Sequence, residues 1–527
     1  MKHSSSSRNA VLVGSGIFLS RIIGLVRERI FAHYFGNSAA ADAFKAALKI
    51  PNLLQNLFGE GALSSSFIPV YANLLASGNK EEANRVARVI GSMLLLAMSL
   101  LVLAGVLATP LLIDLIAPGF KGVKRDATIQ MVRIMFPGVG VLVLSAWCLG
   151  ILNSHRRFFL PYAAPILWNV AMIGALVGFG GRMQAYDLAK TVAWGSVAGS
   201  LLQLGVQLPS VFRLAGRIRF QIDAVSVHIK AVIRNFIPGV AGRGVNQLSS
   251  YIDVTLASLL SAEGAVAALA YTQTIYLLPV SLFGMSISNA ELPEMASQAG
   301  SQETIAAALR ERLRSAKQRV IFFIIPSTAA FLAIGDSIAA LLYQTGKFTH
   351  SNAQYIWVVL AGYTVGLQAA TLGRLYTSTL WALRDTRTPL RFASIRVVLA
   401  AGLGWFLAFP VSRWLEIPAH LSLVGLTLSA GIAAWVEFLL LRSSINHRIG
   451  KTGLRASYAA KLWSVAIGAA AVAFAVKCWT NSMPPLVSGI LVLAVFGMAY
   501  FGSATALKIP EALQLSHAVI SRFRSRT

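Results

Sequence analysis

The stretch FLSRIIGLVRERIFAHYFG, residues 18–36, is apolar enough at both ends to enter a bilayer, yet it carries Arg21, Arg27, Glu28 and Arg29. An arginine near the bilayer centre costs about 2.5–3.5 kcal/mol on the insertion scale. If all of these side chains faced lipid, their cost would offset much of the apolar gain of the segment. The stretch therefore predicts a transmembrane helix whose charged side chains face protein, water or a ligand.

The polar residues of this helix share one face. At about 100° per residue, Arg21 lies about 20° from Glu28, and Ser20 lies about 20° from Arg27. Gly24 lies between the two pairs. The first helix is therefore expected to present one cationic, hydrophilic face.

The composition of the chain extends this prediction to its whole length. Of the 527 residues, 56% are hydrophobic and 13% are charged, and the mean hydropathy is +0.66. Apolar runs of roughly 20 residues recur from end to end, and about fourteen segments are long enough to span a bilayer. We therefore predict an all-α polytopic membrane protein.

The net charge of +26 is concentrated in every second loop. Basic clusters follow the sixth, eighth, tenth and twelfth predicted helices, at residues 213–219, 310–317, 384–391 and 448–455. This is the positive-inside pattern, and it predicts that both termini are cytoplasmic. A nucleic-acid-binding surface would not alternate in this way, so we expect no nucleic-acid partner.

The sequence contains no catalytic signature such as HExxH, GxSxG or a phosphate-binding loop. Cys148 and Cys478 are far apart in the chain, so neither a disulfide framework nor a metal site is expected. The pattern favours a transporter without a cofactor over an enzyme. Its energy would come from a monovalent cation gradient or from the membrane potential.

Two pairs of similar segments predict an internal repeat. NLFGEGALSSSFIPV, from residue 56, is similar to SLFGMSISNAELPEM, from residue 281, and LNSHRRF, from residue 152, is similar to LRDTRTP, from residue 383. Both separations are roughly 230 residues, which corresponds to a parallel repeat of six helices. Chance similarity between apolar sequences is the alternative.

The expected domains follow from this repeat. Helices 1–6 form an N-lobe at residues 1–215, helices 7–12 form a C-lobe at 216–450, and two further helices with a cytoplasmic tail occupy 451–527. Residues 302–318 have an amphipathic pattern. They predict either a cytoplasmic helix lying on anionic headgroups or a solvated extension of the ninth helix.

Polar side chains also interrupt the second, seventh and tenth helices, and Pro51 and Gly59 would let the second helix hinge. Ion pairing with nearby acids is one interpretation of the buried arginines. Because basic residues outnumber acids, the other is a water-filled cavity that binds an anion, and guanidinium groups suit phosphate oxygens.

A set of motifs occurs in a specific order: SRIIGLVRE at 20–28, KIPNLLQNLFGEGALSSSFIPV at 49–70, APGF at 117–120, GKFT at 346–349 and DTRTP at 385–389. In this order and spacing they resemble the lipid II flippase family MurJ, also called MviN. The resemblance is densest in the first 165 residues.

The resemblance implies two six-helix lobes in a pseudo-twofold arrangement, with two C-terminal helices that form a groove for a polyprenyl tail. It also implies a bacterial cytoplasmic-membrane protein that moves lipid II, an undecaprenyl-pyrophosphate-linked disaccharide pentapeptide, to the outer leaflet by alternating access. Membrane lipids and cell-wall synthesis or division proteins are the other expected partners. The cationic cavity of this family would explain the arginines of the first helix.

The candidate site residues combine the polar faces with this resemblance. Those expected to bind substrate are Ser20, Arg21, Arg27, Asp42, Gln55, Arg243 and Asn246. Those expected to support the cavity or its gating are Gly24, Glu28, Asn52, Glu60, Gln247, Asp253 and Arg374.

Two positions depart from the family pattern. Gln55 and Thr274 stand where better-known members carry arginines. We hypothesise that Arg243, on the polar stripe of the seventh helix, restores the missing charge. The eleventh helix, SIRVVLAAGLGWFLAF, offers no carboxylate or amide for the sodium site of some members.

Two other functions compete with the flippase. The first is a polysaccharide-precursor or drug exporter of the same superfamily. Drug exporters of this kind need carboxylates in the membrane to bind cations, and the cationic cavity expected here opposes that function. A scaffold for cell-wall synthases is the second, and there the polar stripes would only hold helices together.

The hypothesis for Arg243 is tested by charge reversal. Arg243→Glu should abolish complementation of a flippase-depleted cell, because it would place a carboxylate against the phosphates of the substrate. An Arg243→Glu variant that complements at normal abundance would contradict this role.

Overall fold

The computed structural model describes residues 2–216, 220–221, 226–298 and 301–524. Over these ranges the chain is helical, and its one β-type contact is an isolated bridge between Thr345 and Phe348. The prediction of an all-α membrane protein is confirmed.

The first nine helices are α1 (Lys2–Phe35), α2 (Ala39–Phe58), α3 (Glu60–Ala76), α4 (Lys80–Ile116), α5 (Gly122–Ser154), α6 (Phe159–Ala163), α7 (Pro165–Phe179), α8 (Ala185–Ala215) and α9 (Val227–Leu259).

The remaining helices are α10 (Ala265–Pro279), α11 (Ser286–Ala296), α12 (Gln302–Tyr343), α13 (His350–Thr364), α14 (Leu367–Ala382), α15 (Arg387–Phe406), α16 (Ser412–Trp414), α17 (Ser422–Ile449), α18 (Ala456–Trp479), α19 (Pro485–Ala506) and α20 (Pro510–Arg524). Single π-helical segments join α10 to α11 and α15 to α16.

Nine helical segments in the described ranges are long and apolar enough to cross a membrane, and the number is ten if α13 and α14, which meet at a bend of 46°, are counted as one span. The helices α1, α2, α8 and α9 have 20 to 34 residues each, which is also long enough to span a bilayer. Counting them as spans is consistent with the predicted fourteen.

Packing divides the chain into two compact units. The first contains residues 1–259 with the short segment 345–348, and the second contains 260–344 and 349–527. The packing boundary thus places α9 with the first unit, although the sequence repeat assigns it to the C-lobe. The packing units and the predicted lobes therefore have different boundaries, and the lobe boundaries stay a prediction based on the sequence repeat.

The first unit has an apolar core in which α3, α4, α5 and α9 meet. Phe67, Tyr71, Val86 and Trp147 are among its buried members. The small Gly91 lies against the indole of Trp147, where a Cβ would come within 3.0 Å of the ring. This packing brings α4 and α5 close together.

The repeated motifs lie at similar irregularities in the two units. Gly59 separates α2 from α3, and Gly284 lies in the π-helical segment after α10. The two basic turns also match, because Arg156 and Arg384 have φ of +58° and +60° and each follows the end of a helix. The shared backbone geometry supports the internal repeat over chance similarity.

The amphipathic residues 302–318 continue without a break into α12, a 42-residue helix. Its apolar side chains, including Leu309 and Leu313, are buried. The segment is thus continuous with the ninth predicted helix, and its position relative to the lipid headgroups stays a prediction.

Asp385 stabilises the turn between α14 and α15. Its Oδ2 accepts a hydrogen bond from the Thr388 hydroxyl at 2.6 Å, and its Oδ1 accepts from the backbone amide of Thr388 at 3.0 Å. These bonds, with the ion pair to Arg448, lower the pKa of Asp385 to about 2. The aspartate of the DTRTP motif is therefore a helix cap in this turn.

Candidate functional site

A cavity of about 470 Å³ lies within the first unit beside α1. Its polar lining comes from α1, α2, α5, α6 and α8, and its apolar lining includes Ile17 and Leu142. The polar residues in the lining are Ser20, Arg21, Gln55, Asn56, Ser145, Tyr162 and Gln203. The size is typical of a small-molecule site.

Arg21 is the cationic member of this lining. Its side chain is exposed, and Ser20 beside it is half-buried. A guanidinium group at the wall of a polar cavity suits an anionic ligand with several oxygen acceptors. The structure thus brings together three of the predicted substrate-binding residues, Ser20, Arg21 and Gln55.

The break at Gly59 positions the residues that α2 contributes. The amide of Gly59 donates a hydrogen bond to the carbonyl of Gln55 at 2.8 Å. A Cβ at this glycine would lie 2.2 Å from the same carbonyl oxygen, so no larger residue fits without a shift of the backbone. The predicted hinge in the second helix is therefore a break directly after the residues that line the cavity.

The opposite wall of the cavity carries a hydrogen-bonded amide pair. The Nε2 atoms of Gln203 and Gln207 donate to the Ser145 hydroxyl at 3.1 and 2.7 Å. The Oε1 of Gln207 is buried and has no hydrogen-bond partner among the described residues. Sequence reasoning missed these residues, although a serine and two glutamines within apolar helices are a signal of a polar interior.

Arg27 and Glu28 lie outside the lining of this cavity, in a network with Lys45 of α2. The Arg27 guanidinium contacts the Glu28 carboxylate at 2.6 Å, and Lys45 pairs with the other carboxylate oxygen. Arg27 also lies 4.9 Å from the centre of the Trp168 ring. One carboxylate therefore serves two cations, and the network keeps a formal charge of +1.

Asp42 is paired with a residue that the sequence did not indicate. Its carboxylate contacts the Lys124 Nζ at 2.5 Å, and its side chain is 1% exposed. The pairing of a first-helix arginine with a nearby acid is therefore seen for Arg27 and Glu28, whereas Lys124 is a partner of Asp42 that the sequence did not indicate. No local pattern links Asp42 to a lysine on α5, since the two residues meet only through tertiary packing.

The other predicted residues of the first unit lie around these groups. Asn52 is half-buried, and Gly24 faces the side chain of Asn169, with a Cβ position 3.9 Å from Oδ1. Asp253, in the C-terminal part of α9, interacts electrostatically with Lys49 of α2. Glu60, Arg243, Asn246 and Gln247 lie outside the residues whose side chains the structure describes.

Arg374 belongs to the second unit. Its side chain is exposed, and it interacts electrostatically with Tyr276, Arg396 and Glu437. Arg396 and Glu437 form an ion pair with an N···O distance of 2.9 Å. Arg374 is therefore part of a polar cluster within the second unit, and it does not line the cavity beside α1.

Comparison with known proteins gives one consistent result. The sequence profile of the family described as lipid II flippase MurJ matches residues 31–497. The probable lipid II flippase MurJ of Rhizobium meliloti (strain 1021) is 31% identical over 441 residues, which are 83% of this chain and 80% of the relative. The lipid II flippase MurJ of Burkholderia cenocepacia is 29% identical over 450 residues, with 83% and 84% covered.

Solved structures agree at the level of fold. A lipid II flippase MurJ in an inward closed conformation matches with a TM-score of 0.73 at 23% identity, over 94% of this chain and 100% of that one. An inward-facing multidrug transporter of the MATE family matches with a TM-score of 0.64 at 16% identity, over 83% and 98%.

The Glu28 network makes a specific prediction about stability. Glu28→Gln should lower the free energy of unfolding by about 3 kcal/mol, because Arg27 and Lys45 would lose the carboxylate between them. Lys45→Met should cost much less, since the pair of Arg27 and Glu28 stays neutral. Thermal unfolding of the purified variants in detergent measures both effects.

The double variant Glu28→Gln/Lys45→Met serves as the control. It should recover much of the stability that Glu28→Gln loses, because one cation then remains in place of two. If Glu28→Gln unfolds at the same temperature as the parent protein, the carboxylate does not hold these cations.

Proposed function

This chain belongs to the lipid II flippase MurJ family and is a lipid II flippase of the bacterial cytoplasmic membrane, and we propose that the cavity beside α1 receives the diphosphate of its substrate. The protein is a transporter and not an enzyme. The observation that carries the proposal is the exposed Arg21 side chain in the wall of a polar cavity of about 470 Å³.

The chemistry of the lining fits the two parts of the headgroup. The Arg21 guanidinium offers paired N–H donors to phosphate oxygens. The amides of Gln55 and Asn56 and the serine and glutamine of the far wall offer both donors and acceptors to sugar hydroxyls. In this proposal the cation selects the diphosphate and the amides position the sugar.

Arg27 has a different part in this proposal. It lies six residues after Arg21, or roughly 9 Å further along α1. Its network with Glu28 and Lys45 keeps a formal charge of +1, which attracts an anion without a direct contact. Arg243 and Asn246 complete the proposed binding set from α9, and Asp42 supports α2 through Lys124.

We propose that both termini face the cytoplasm, which agrees with the basic loops between the helices. The substrate then enters from the inner leaflet and leaves to the outer leaflet by alternating access. Contacts with cell-wall synthesis or division proteins would follow from the use of lipid II at the outer face.

Substitution of Arg21 tests the cavity. Arg21→Ala should reduce lipid II translocation at least about tenfold, because a hydrogen bond to a charged group contributes about 1.5–3 kcal/mol and 1.4 kcal/mol corresponds to a factor of ten. Arg213→Ala, which removes an exposed arginine at the end of α8, is the matched control. Translocation is measured in reconstituted vesicles at equal protein abundance.

The position of Gln55 offers a charge-sign control at the same site. Gln55→Arg should preserve translocation and Gln55→Glu should weaken it, because only the carboxylate repels the diphosphate. Equal activity of the two variants would show that no anion binds beside Gln55.

We propose that the membrane potential drives the conformational cycle through Arg21 and the positively charged network of Arg27, Glu28 and Lys45. Moving one elementary charge across 100 mV is worth about 2.3 kcal/mol. An imposed potential should therefore change the translocation rate in vesicles, and exchange of sodium for choline should not. Equal rates at either sign of the potential would refute voltage coupling, and a loss of rate in choline would identify a cation.

A further inference from the structure

The second unit contains a strongly basic cavity of about 550 Å³ where α12 and α18 begin. Five of its lining side chains are cationic and one is a carboxylate. These side chains are Arg310, Arg314, Lys451, Arg455, Lys461 and Glu311. Such a concentration of one sign of charge in a concave site raises the local concentration of anions.

The loop that forms one wall of the cavity is fixed by hydrogen bonds. The backbone amide and the hydroxyl of Thr452 both donate to the Asn446 Oδ1, at 2.9 and 2.6 Å. The buried Lys317 donates to the Thr452 carbonyl, and the Arg310 Nε donates to the Ile449 carbonyl at 2.8 Å. The cavity is therefore preformed, which lowers the entropic cost of binding a ligand.

The protein itself neutralises little of this charge. Glu311 contacts Arg314 at 3.7 Å, and both side chains are exposed. Among the residues that the structure describes, Lys451 and Arg455 make no side-chain ion pair or hydrogen bond. The N-terminus of α18 adds to the positive potential. Its first backbone amides receive no hydrogen bond from the side chain of Arg455 at the N-cap, so the positive end of the helix dipole is not offset there.

The cavity lies at the level where a bilayer has its headgroups. Residues 310–318 are the polar beginning of α12, and the apolar part of that helix starts at Val320. On α18 the change from polar to apolar sequence comes after Lys461. The basic side chains therefore lie at the ends of two membrane spans, beside the phosphates of the lipid surface.

We propose that this cavity binds the phosphate diester of an anionic phospholipid. The headgroup phosphate lies among Arg314, Lys451 and Arg455, and the acyl chains leave along the apolar surfaces of α12 and α18. This site is separate from the cavity beside α1, so its existence does not depend on the role proposed for Arg21. Its effect is to anchor this end of the second unit to the anionic leaflet.

The test uses the full-length protein in a neutral detergent to which lipid is added. Phosphatidylglycerol should raise the unfolding temperature, whereas phosphatidylcholine at the same concentration should not. Lys451→Gln/Arg455→Gln should need at least about tenfold more phosphatidylglycerol for half of the shift, because it removes two charges from the cavity. Both side chains are exposed, so their replacement leaves the core intact.

The control is Arg387→Gln/Arg391→Gln, which removes the same charge from exposed positions at the beginning of α15. It should respond to phosphatidylglycerol as the parent protein does. An equal loss in both double variants would show a general charge effect and overturn the site. If inorganic phosphate alone gives the whole shift, the ligand is a soluble phosphate and the lipid assignment is wrong.

The lipid-dependent shift of the unfolding temperature and the translocation of lipid II are measured separately, so that failure of this proposal can be distinguished from failure of the proposed function. The Lys451→Gln/Arg455→Gln variant should lose the lipid-dependent shift even in a protein that carries Arg21→Ala. Persistence of the shift in the cavity variant would refute the lipid site, whatever the effect of Arg21→Ala on transport.

Discussion

The cost of burying charge away from water is the constraint on which this structure depends. A buried cation must have a counterion, a hydrogen-bonding partner or access to water, because an uncompensated ion costs several kcal/mol. The chain meets this condition in three different ways. Arg27 and Lys45 share the carboxylate of Glu28, Lys124 neutralises Asp42, and Arg21 lies in the wall of a polar cavity.

The same constraint distinguishes the surroundings of the two arginines of α1. Arg27 is 14% exposed and paired, so its removal changes the balance of a buried network. Arg21 is exposed in the wall of a polar cavity. Two arginines on one face of one helix therefore have different surroundings, and the roles proposed for them differ accordingly.

Both units contain a break in a helix at the corresponding Leu-Phe-Gly motif. Gly59, the C-cap of α2, lies four residues after Gln55, and Gly284 lies in a π-helical segment. Such breaks expose side chains that a continuous helix would turn toward its neighbours. In the second unit the loop that contains Thr452, held by Lys317, forms one wall of the basic cavity for which we propose an anionic phospholipid.

The sequence by itself determined the all-α membrane fold, the repeat and the family, because hydropathy, spacing and motif order are local properties of the chain. It also singled out Ser20, Arg21 and Gln55, which the structure brings together in the lining of one cavity. Only the tertiary structure decided which cation meets which carboxylate, as Asp42 with Lys124 shows. Those partners lie on helices distant in sequence, and no periodicity of a single helix specifies the side chain that packs against it.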